Sequence, residues 1–209
     1  MIERLIFARH AETRHNVDGI AQGWSDSDLS DRGRAQVERL AARARKLSPS
    51  AIFSSPLPRA VATAKPVAEA LGLSLQLLDD LREMHCGQWE GRRFTEIREE
   101  DPERYRSWIS DPMVPCPEGE SFHDVRMRMR RALDQIHAAG ETRGAAPMVI
   151  SHGTAIRIVA VDLLDLPLAS ARWFLQENAA VNIFERRHQR YLLRCWNDAT
   201  HCEGEPSAS

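Results

Sequence analysis

The stretch Leu5-Ile6-Phe7-Ala8-Arg9-His10-Ala11 is answered near residue 150 by Met148-Val149-Ile150-Ser151-His152-Gly153. Each is a short apolar run that ends in a histidine followed at once by a small residue. An apolar run of this length, bounded by turn signals, reads as a buried parallel strand. In open α/β sheets, ligands bind outside the carboxyl ends of such strands. Two imidazoles are therefore expected at one sheet edge, one of them with an arginine beside it. Phosphate chemistry on a histidine nucleophile would need that arrangement.

Working outward, strands alternate with helices. Residues 2–8 form the first strand. Ser30 caps a helix running to Leu47, with Val37, Leu40, Ala41, Ala44 and Leu47 on one face. Residues 51–53 form a second strand, followed by a helix to Leu71 with Gly72 as its stop. Pro66 is expected to kink or split that helix. Residues 73–78 alternate toward a third strand. Residues 84–120 read as one short helix plus loops covering a site. Ser121 and Asp124 resemble a capping box opening a helix to Ala139, with Val125, Met129, Ala132, Leu133 and Ile136 as its buried stripe. Residues 148–151 are the fourth strand, residues 154–166 a helix stopped by Pro167. Residues 181–184 and 191–195 are two closing strands joined by a charged turn. The pattern predicts an α/β layer fold with a mostly parallel sheet. Residues 1–202 are expected to form a single domain and residues 203–209 a disordered tail. The long loop from Arg9 to about Leu29 is expected to be functional.

Composition narrows the function classes. The 209 residues are 43% hydrophobic and 28% charged, with a formal net charge of −2. No global basic field attracts nucleic acid or anionic membrane. No apolar stretch reaches the length of a membrane span, and the N-terminus lacks a signal-peptide core, which predicts a cytoplasmic protein. Cys86, Cys116, Cys195 and Cys202 are scattered without a CxxC pair, as expected of reduced thiols rather than a disulfide framework or a zinc site. No metal and no cofactor are expected.

Four segments carry chemistry. In Arg9-His10, a planar guanidinium fork suits two phosphate oxygens, and a neutral imidazole can attack phosphorus. Alone, a strand-end histidine that merely bonds a carbonyl is the better reading, since a tripeptide match is weak. Arg59, in Ser54-Ser55-Pro56-Leu57-Pro58-Arg59-Ala60, sits just inside a helix following a strand and opposes the helix dipole. A bound anion would compensate for that placement; without the other segments, a solvated surface arginine is the better reading. Glu83, in Leu81-Arg82-Glu83-Met84-His85-Cys86-Gly87, is a candidate proton donor for a leaving alkoxide, or a solvated loop glutamate. His152 has the same standing as His10.

Taken in order, Arg9-His10-Ala11-Glu12-Thr13 with Asn16 and Gln22-Gly23, then the Ser54–Ala64 segment, then Glu83, then Ser151-His152-Gly153 resemble the histidine phosphatase superfamily, in its phosphoglycerate-mutase-like branch. The resemblance runs from Met1 to about His201. It implies a three-layer α/β fold with a mostly parallel central sheet flanked by helices. It implies His10 as the phosphorylated nucleophile, Arg9, Arg59 and His152 as the phosphate pocket, and Glu83 as the proton donor. Asn16, Gln22 and Gly23 match positions lining that pocket, and Gly153 joins the substrate-facing set. Metal-independent catalysis is implied as well. Ala11 stands where the family most often has glycine. His85, two residues after Glu83, stands within reach of the substrate. His201, in Asn197-Asp198-Ala199-Thr200-His201, resembles a C-terminal signature of the family's small-molecule phosphatases.

The expected function is a phosphomonoesterase acting on a small phosphorylated metabolite, of broad-specificity, phosphoserine or alpha-ribazole phosphate type. The alternative is a cofactor-dependent phosphoglycerate mutase. Such mutases carry a longer, arginine-rich insertion after the glutamate than the short segment between Glu83 and Ser121. A non-catalytic phosphate-binding protein is the third reading, opposed by the intact set Arg9, His10, Arg59, Glu83 and His152. The partner is a small phosphate ester rather than nucleic acid or membrane; the oligomeric state stays open, a homodimer included. Arg126, Arg128, Arg130 and Arg131 read as a solvated helix face. Trp24, Trp89 and Trp108 read as core or lid packing.

Overall fold

The computed structural model describes residues 2–139 and 145–203. A six-stranded sheet is formed by β1 (Arg4–Arg9), β2 (Ile52–Ser54), β3 (Leu75–Leu77), β4 (Met148–Ser151), β5 (Val181–Arg187) and β6 (Arg190–Asp198), in the order β3-β2-β4-β1-β5-β6. The helices are α1 (Arg14–Asp18), α2 (Asp31–Leu47), α3 (Pro58–Leu71), α4 (Phe94–Glu100), α5 (Pro102–Ser110), α6 (Phe122–Ala139) and α7 (Gly153–Leu163).

Side-chain alternation along the strands divides the core between two faces. Leu5, Phe7, Phe53, Val149 and Phe184 pack on the side of α6 and α7, through Val125, Met129, Ile136, Ile156 and Val159. Ile6, Ala8, Ile52, Met148 and Ile150 pack on the other, against Leu40, Ala44 and Leu47 of α2 and Ala60, Ala64 and Val67 of α3. Burial on both faces explains why β1 and β4 read as continuous apolar runs instead of alternating ones. Each large side chain so buried stabilises the fold by about 1.5–3 kcal/mol relative to exposure. The stripes expected on the helices from Ser30 and Ser121 are the ones buried. Ser30 Oγ accepts from Gly33 N at 2.9 Å, and Ser121 and Asp124 bond each other's backbone N–H at 3.1 and 2.9 Å.

The expectation of a mostly parallel sheet holds for four of the six strands. β3, β2, β4 and β1 are parallel, whereas β5 is antiparallel to β1 and β6 to β5. The sheet is mixed because the closing strands form a hairpin, and a short turn can join only antiparallel neighbours. Pro66 does not split α3, which runs from Pro58 to Leu71; the lost N–H bond is tolerated within a helix packed on the sheet. α7 stops at Leu163, short of Leu166, because Asp165 adopts a left-handed φ of 54°. Residues 84–120 hold two helices, not one. They part at Asp101, which Pro102 excludes from the helical region and whose carboxylate caps α5 through Arg104 N at 3.0 Å. Within the described residues, no helix is long and apolar enough to cross a membrane. Of the predicted tail, residues 204–209 lie outside the described residues.

The register of β1 on β4 decides the rest. Arg9 pairs with Ser151, and His10 N donates to Ser151 O at 2.9 Å. The two halves of the sequence echo thus emerge side by side from adjacent parallel strands.

Candidate active site

His10 and His152 follow the last pair in this register and are 2% and 0% exposed, with ring centroids 5.1 Å apart. His10 Nδ1 lies 2.8 Å from Ala11 O. A carbonyl oxygen can only accept, so Nδ1 carries the proton and Nε2 keeps its lone pair. Burial first, then the Arg59 and Arg9 charges, hold the His10 imidazole well below its ordinary value of 6.5. Burial, then Arg59 and His10, act likewise on His152. Both rings are neutral at neutral pH. His152 Nε2 is 2.8 Å from Ser55 Oγ, and its Nδ1 is buried without a partner. The backbone around His10 is held from two sides. Ala11 N donates to Thr63 Oγ1 at 3.0 Å, and Asn178 Nδ2 donates to His10 O at 3.1 Å.

Two guanidinium groups flank the rings. Arg9 donates to Gln176 O, and burial lowers its pKa to about 10, which leaves it cationic. Arg59, 2% exposed in the first turn of α3, pairs with Asp26 Oδ1 at 2.8 Å. It also donates to Ser25 O and Gly23 O, each at 2.7 Å. The expectation that a bound anion offsets its position against the helix dipole needs amending: Asp26 and two loop carbonyls already do so. Arg59 thereby ties the 23–26 loop to α3. A second tie comes from Glu90, which accepts from Trp24 N, Ser25 N and Cys86 N. Position 23 favours glycine, because Gly23 has a φ of 52° and a Cβ there would stand 2.8 Å from the backbone N of Cys86.

Glu83 occupies the N-terminus of α7. Its carboxyl group accepts from Met84 N at 2.8 Å, Thr154 N at 3.1 Å and Ala155 N at 3.3 Å. Free N–H groups and the helix dipole both favour a carboxyl group there. Its main chain is clasped by Arg128, which donates to Asp80 O, Arg82 O and Glu83 O at 3.0, 2.6 and 2.8 Å. Arg128 also makes a two-pronged pair with Glu120, both bonds 2.8 Å. The reading of the arginines on α6 as a solvated face is therefore wrong for Arg128, which is 6% exposed. Its spacing carried the signal: Arg128 falls three residues after Val125 and one before Met129, inside the buried stripe. Arg130 and Arg131 do lie on the outer face, paired with Asp162 and Asp80.

Arg9, His10, Asn16, Gln22, Gly23, Arg59, Glu83 and Gly153 line one cavity of about 380 Å³. His152 is fully buried with its ring 5.1 Å from that of His10, and it does not itself line the cavity. His85 lies outside the wall, its ring tilted against Trp24 at 4.7 Å with Nε2 3.6 Å from Glu90. His201 is half-buried beside Arg39 and Arg43 of α2, also outside it. Trp89 and Trp108 pack in the core, and Trp24 is partly exposed, donating to Glu83 O at 2.8 Å. Sequence reasoning missed Arg157, Arg172 and Phe174 in the wall; no motif marks them. The described residues hold no group of three or more His, Cys, Asp or Glu side chains able to bind a metal ion, and all four cysteines are free.

Residues 5–199 match the model of the histidine phosphatase superfamily, branch 1. The chain is 32% identical over 199 residues to phosphoserine phosphatase 1 of Hydrogenobacter thermophilus, covering 95% of this chain and 93% of that one. It is 30% identical to a probable phosphoglycerate mutase of Erwinia tasmaniensis, covering 96% and 95%. It is 40% identical over 157 residues to the bifunctional protein Rv2228c of Mycobacterium tuberculosis, covering 75% of this chain and 43% of the relative. The chain thus spans less than half the length of that protein. Among solved structures, the mycobacterial glucosyl-3-phosphoglycerate phosphatase Rv2419c with VO3 superposes with a TM-score of 0.87 at 32% identity, covering 93% and 99%.

Two outcomes test this geometry. Arg128→Met strands Glu120 and frees the main chain at 80–83, which should cost about 3 kcal/mol in urea unfolding; adding Glu120→Leu should recover part of it, and a loss under about 1 kcal/mol rejects the clasp. The histidine pair sets a pH dependence. Its folded pKa values lie below the ordinary 6.5, so between them the unfolded chain binds more protons. Stability should be full above pH 6.5 and decline as pH falls from there through the folded values. The double variant His10→Asn, His152→Asn should decline less steeply over that window, and an equal slope rejects the neutral pair.

Proposed function

The chain belongs to the histidine phosphatase superfamily, and from that membership we propose that it is a phosphomonoesterase hydrolysing small phosphorylated metabolites through a phosphohistidine. The observation that carries the reading is His10: a neutral imidazole whose free Nε2 is defined by the Nδ1 bond to Ala11 O, at a cavity flanked by Arg9, Arg59 and Glu83.

His10 Nε2 attacks phosphorus in line with the ester oxygen. The N–P bond forms as the P–O bond breaks, and the leaving alkoxide takes a proton from the Glu83 carboxyl group. Arg9 and Arg59 stabilise the charge spread over the transferring oxygens. Neutral His152, held through Nε2 by Ser55 and packed against His10, supports the ring at the phosphate end. Water then attacks the phosphohistidine, giving its proton to Glu83 and releasing inorganic phosphate and free His10. Asn16, Gln22, Gly23 and Gly153 shape the phosphate end. The chemistry calls on no metal, and residues 1–202 act as one cytoplasmic domain. Phosphoserine and alpha-ribazole phosphate remain the substrate types to test first. A mutase shares the first half-reaction and differs in returning the phosphoryl group to a second hydroxyl.

His10→Ala should abolish both hydrolysis of p-nitrophenyl phosphate in EDTA and acid-labile phosphate labelling; labelling that persists overturns the nucleophile. Glu83→Gln should slow esters of aliphatic alcohols by about 10²–10⁴-fold and p-nitrophenyl phosphate far less, since that leaving group needs little protonation. Equal losses reject the proton donor.

A further inference from the structure

The motif Asn197-Asp198-Ala199-Thr200-His201 takes no part in the chemistry above. It begins where β6 departs from its ladder. Val181 pairs with Asp198 and Ile183 with Cys195, so Asn182 alone faces both Trp196 and Asn197. That two-against-one arrangement is a β-bulge, a device that re-aims side chains beside active sites. Asn197 carries the bulge at φ 54°, a left-handed value that asparagine tolerates better than most residues. Its backbone N–H donates to Asn182 Oδ1 at 2.8 Å, and Asn182 is fully buried opposite Phe7 of β1. The bulge is therefore fixed to the sheet. Further on, Asp198 pairs with Arg43 of α2 at 2.9 Å and accepts from Thr200 N at 3.1 Å, which fastens the turn that follows.

The bulge aims at an irregular strap, residues 174–180. Asn197 Oδ1 accepts from Glu177 N at 2.6 Å. The neighbouring Trp196 donates from Nε1 to Leu175 O at 2.8 Å and sets its ring edge-on to Phe174, with ring centres 5.0 Å apart. On its other side the strap touches both residues that handle the phosphoryl group. Gln176 O accepts from the Arg9 guanidinium, and Ala180 O accepts from Arg9 N at 3.2 Å. Ala179 N and Asn178 Nδ2 donate to His10 O at 3.2 and 3.1 Å. The strap also holds Ala179 buried at φ 58° without being glycine. A strained residue of that kind persists only where its surroundings over-determine it.

We infer that Asn197 is a positioning residue for phosphoryl transfer: it holds the strap so that Gln176 O fixes the Arg9 guanidinium and Ala179 N fixes the His10 main chain. Water can satisfy Glu177 N once Oδ1 is gone, but water does not tie the strap to β6. A displaced strap takes Gln176 O with it, and the remaining N–H groups of the Arg9 fork then lose their fixed direction toward the phosphoryl oxygens. Misplacing such a group by about 1 Å costs about 10²-fold in rate. The bulge, the left-handed asparagine and the strained alanine thereby have one common purpose. This role in transfer rests on the phosphatase reading.

Two variants of the full chain separate acceptor from backbone. Asn197→Gly keeps the left-handed conformation and removes Oδ1, whereas Asn197→Asp keeps an acceptor oxygen. On p-nitrophenyl phosphate, Asn197→Gly should lower kcat roughly 10- to 100-fold and change KM less than roughly 3-fold, because Arg9 acts chiefly on transition-state charge. Asn197→Asp should stay within roughly 3-fold of the wild type in both. Ile136→Val, which loosens the core on α6, should leave kcat unchanged and so separates positioning from stability. A kcat for Asn197→Gly within roughly 2-fold of wild type, or an equal loss in Asn197→Asp, overturns the role. Calorimetry with orthovanadate, a mimic of the five-coordinate transferring group, reads the same effect without turnover. Its affinity should fall in Asn197→Gly by the factor lost from kcat, and that of inorganic phosphate much less. If p-nitrophenyl phosphate is not hydrolysed and yet vanadate binds in an Asn197-dependent way, the phosphatase reading falls and the hold on Arg9 and His10 stands.

Discussion

The whole site depends on the lateral pairing of two parallel strands, β1 on β4, with Arg9 opposite Ser151. Side chains alternate with a period of two along a strand, so a slip of one residue would move Leu5 and Phe7 from one core to the other. It would also take His10 away from His152. Burial on both faces makes such a slip prohibitive, since Ile6 and Ala8 belong to one apolar cluster and Leu5 and Phe7 to the other. The hydrophobic core therefore sets the separation of the two imidazoles. It also keeps them dry, and that dryness, with the adjacent guanidinium groups, leaves them neutral.

Around this edge, irregular segments are held by paired charges instead of by secondary structure. Arg59 with Asp26, Glu90 with three backbone N–H groups, and Arg128 with Glu120 each fasten a loop to a helix or to another loop. A buried carboxylate or guanidinium with all its bonds made is worth little in net stability, but removing one partner is severe. Such pairs specify position. Glu83 shows the result: its carboxyl group is held by α7, its carbonyl by Arg128 and Trp24.

Much of the architecture was legible before the fold. The strand at 148–151, the cap at Ser30, the stripes on α2 and α6 and the stop at Gly72 follow from local periodicity and capping. Less legible were features set by packing at a distance. Pro66 sits in an intact helix, and Asp101 divides what reads as one helix. The hairpin that closes the sheet adds two antiparallel pairings beside four parallel strands. At the site, Arg9, His10, Asn16, Gln22, Gly23, Arg59, Glu83 and Gly153 line one cavity, whereas His85 leans on Trp24 and His152 is buried against His10. Arg157 and Arg172 carry no motif at all, because a cavity wall is a property of surfaces that meet only after folding.

By itself, the sequence determined the strands and the longer helices and placed an imidazole at the end of each of two matching strands, since periodicity and capping act within a few residues. Tertiary structure alone decided that those imidazoles are neighbours, which nitrogen of His10 is free, and which arginines already have a carboxylate. Those outcomes depend on burial and on contacts between residues tens of positions apart, and no local pattern encodes the electrostatic environment that such contacts create.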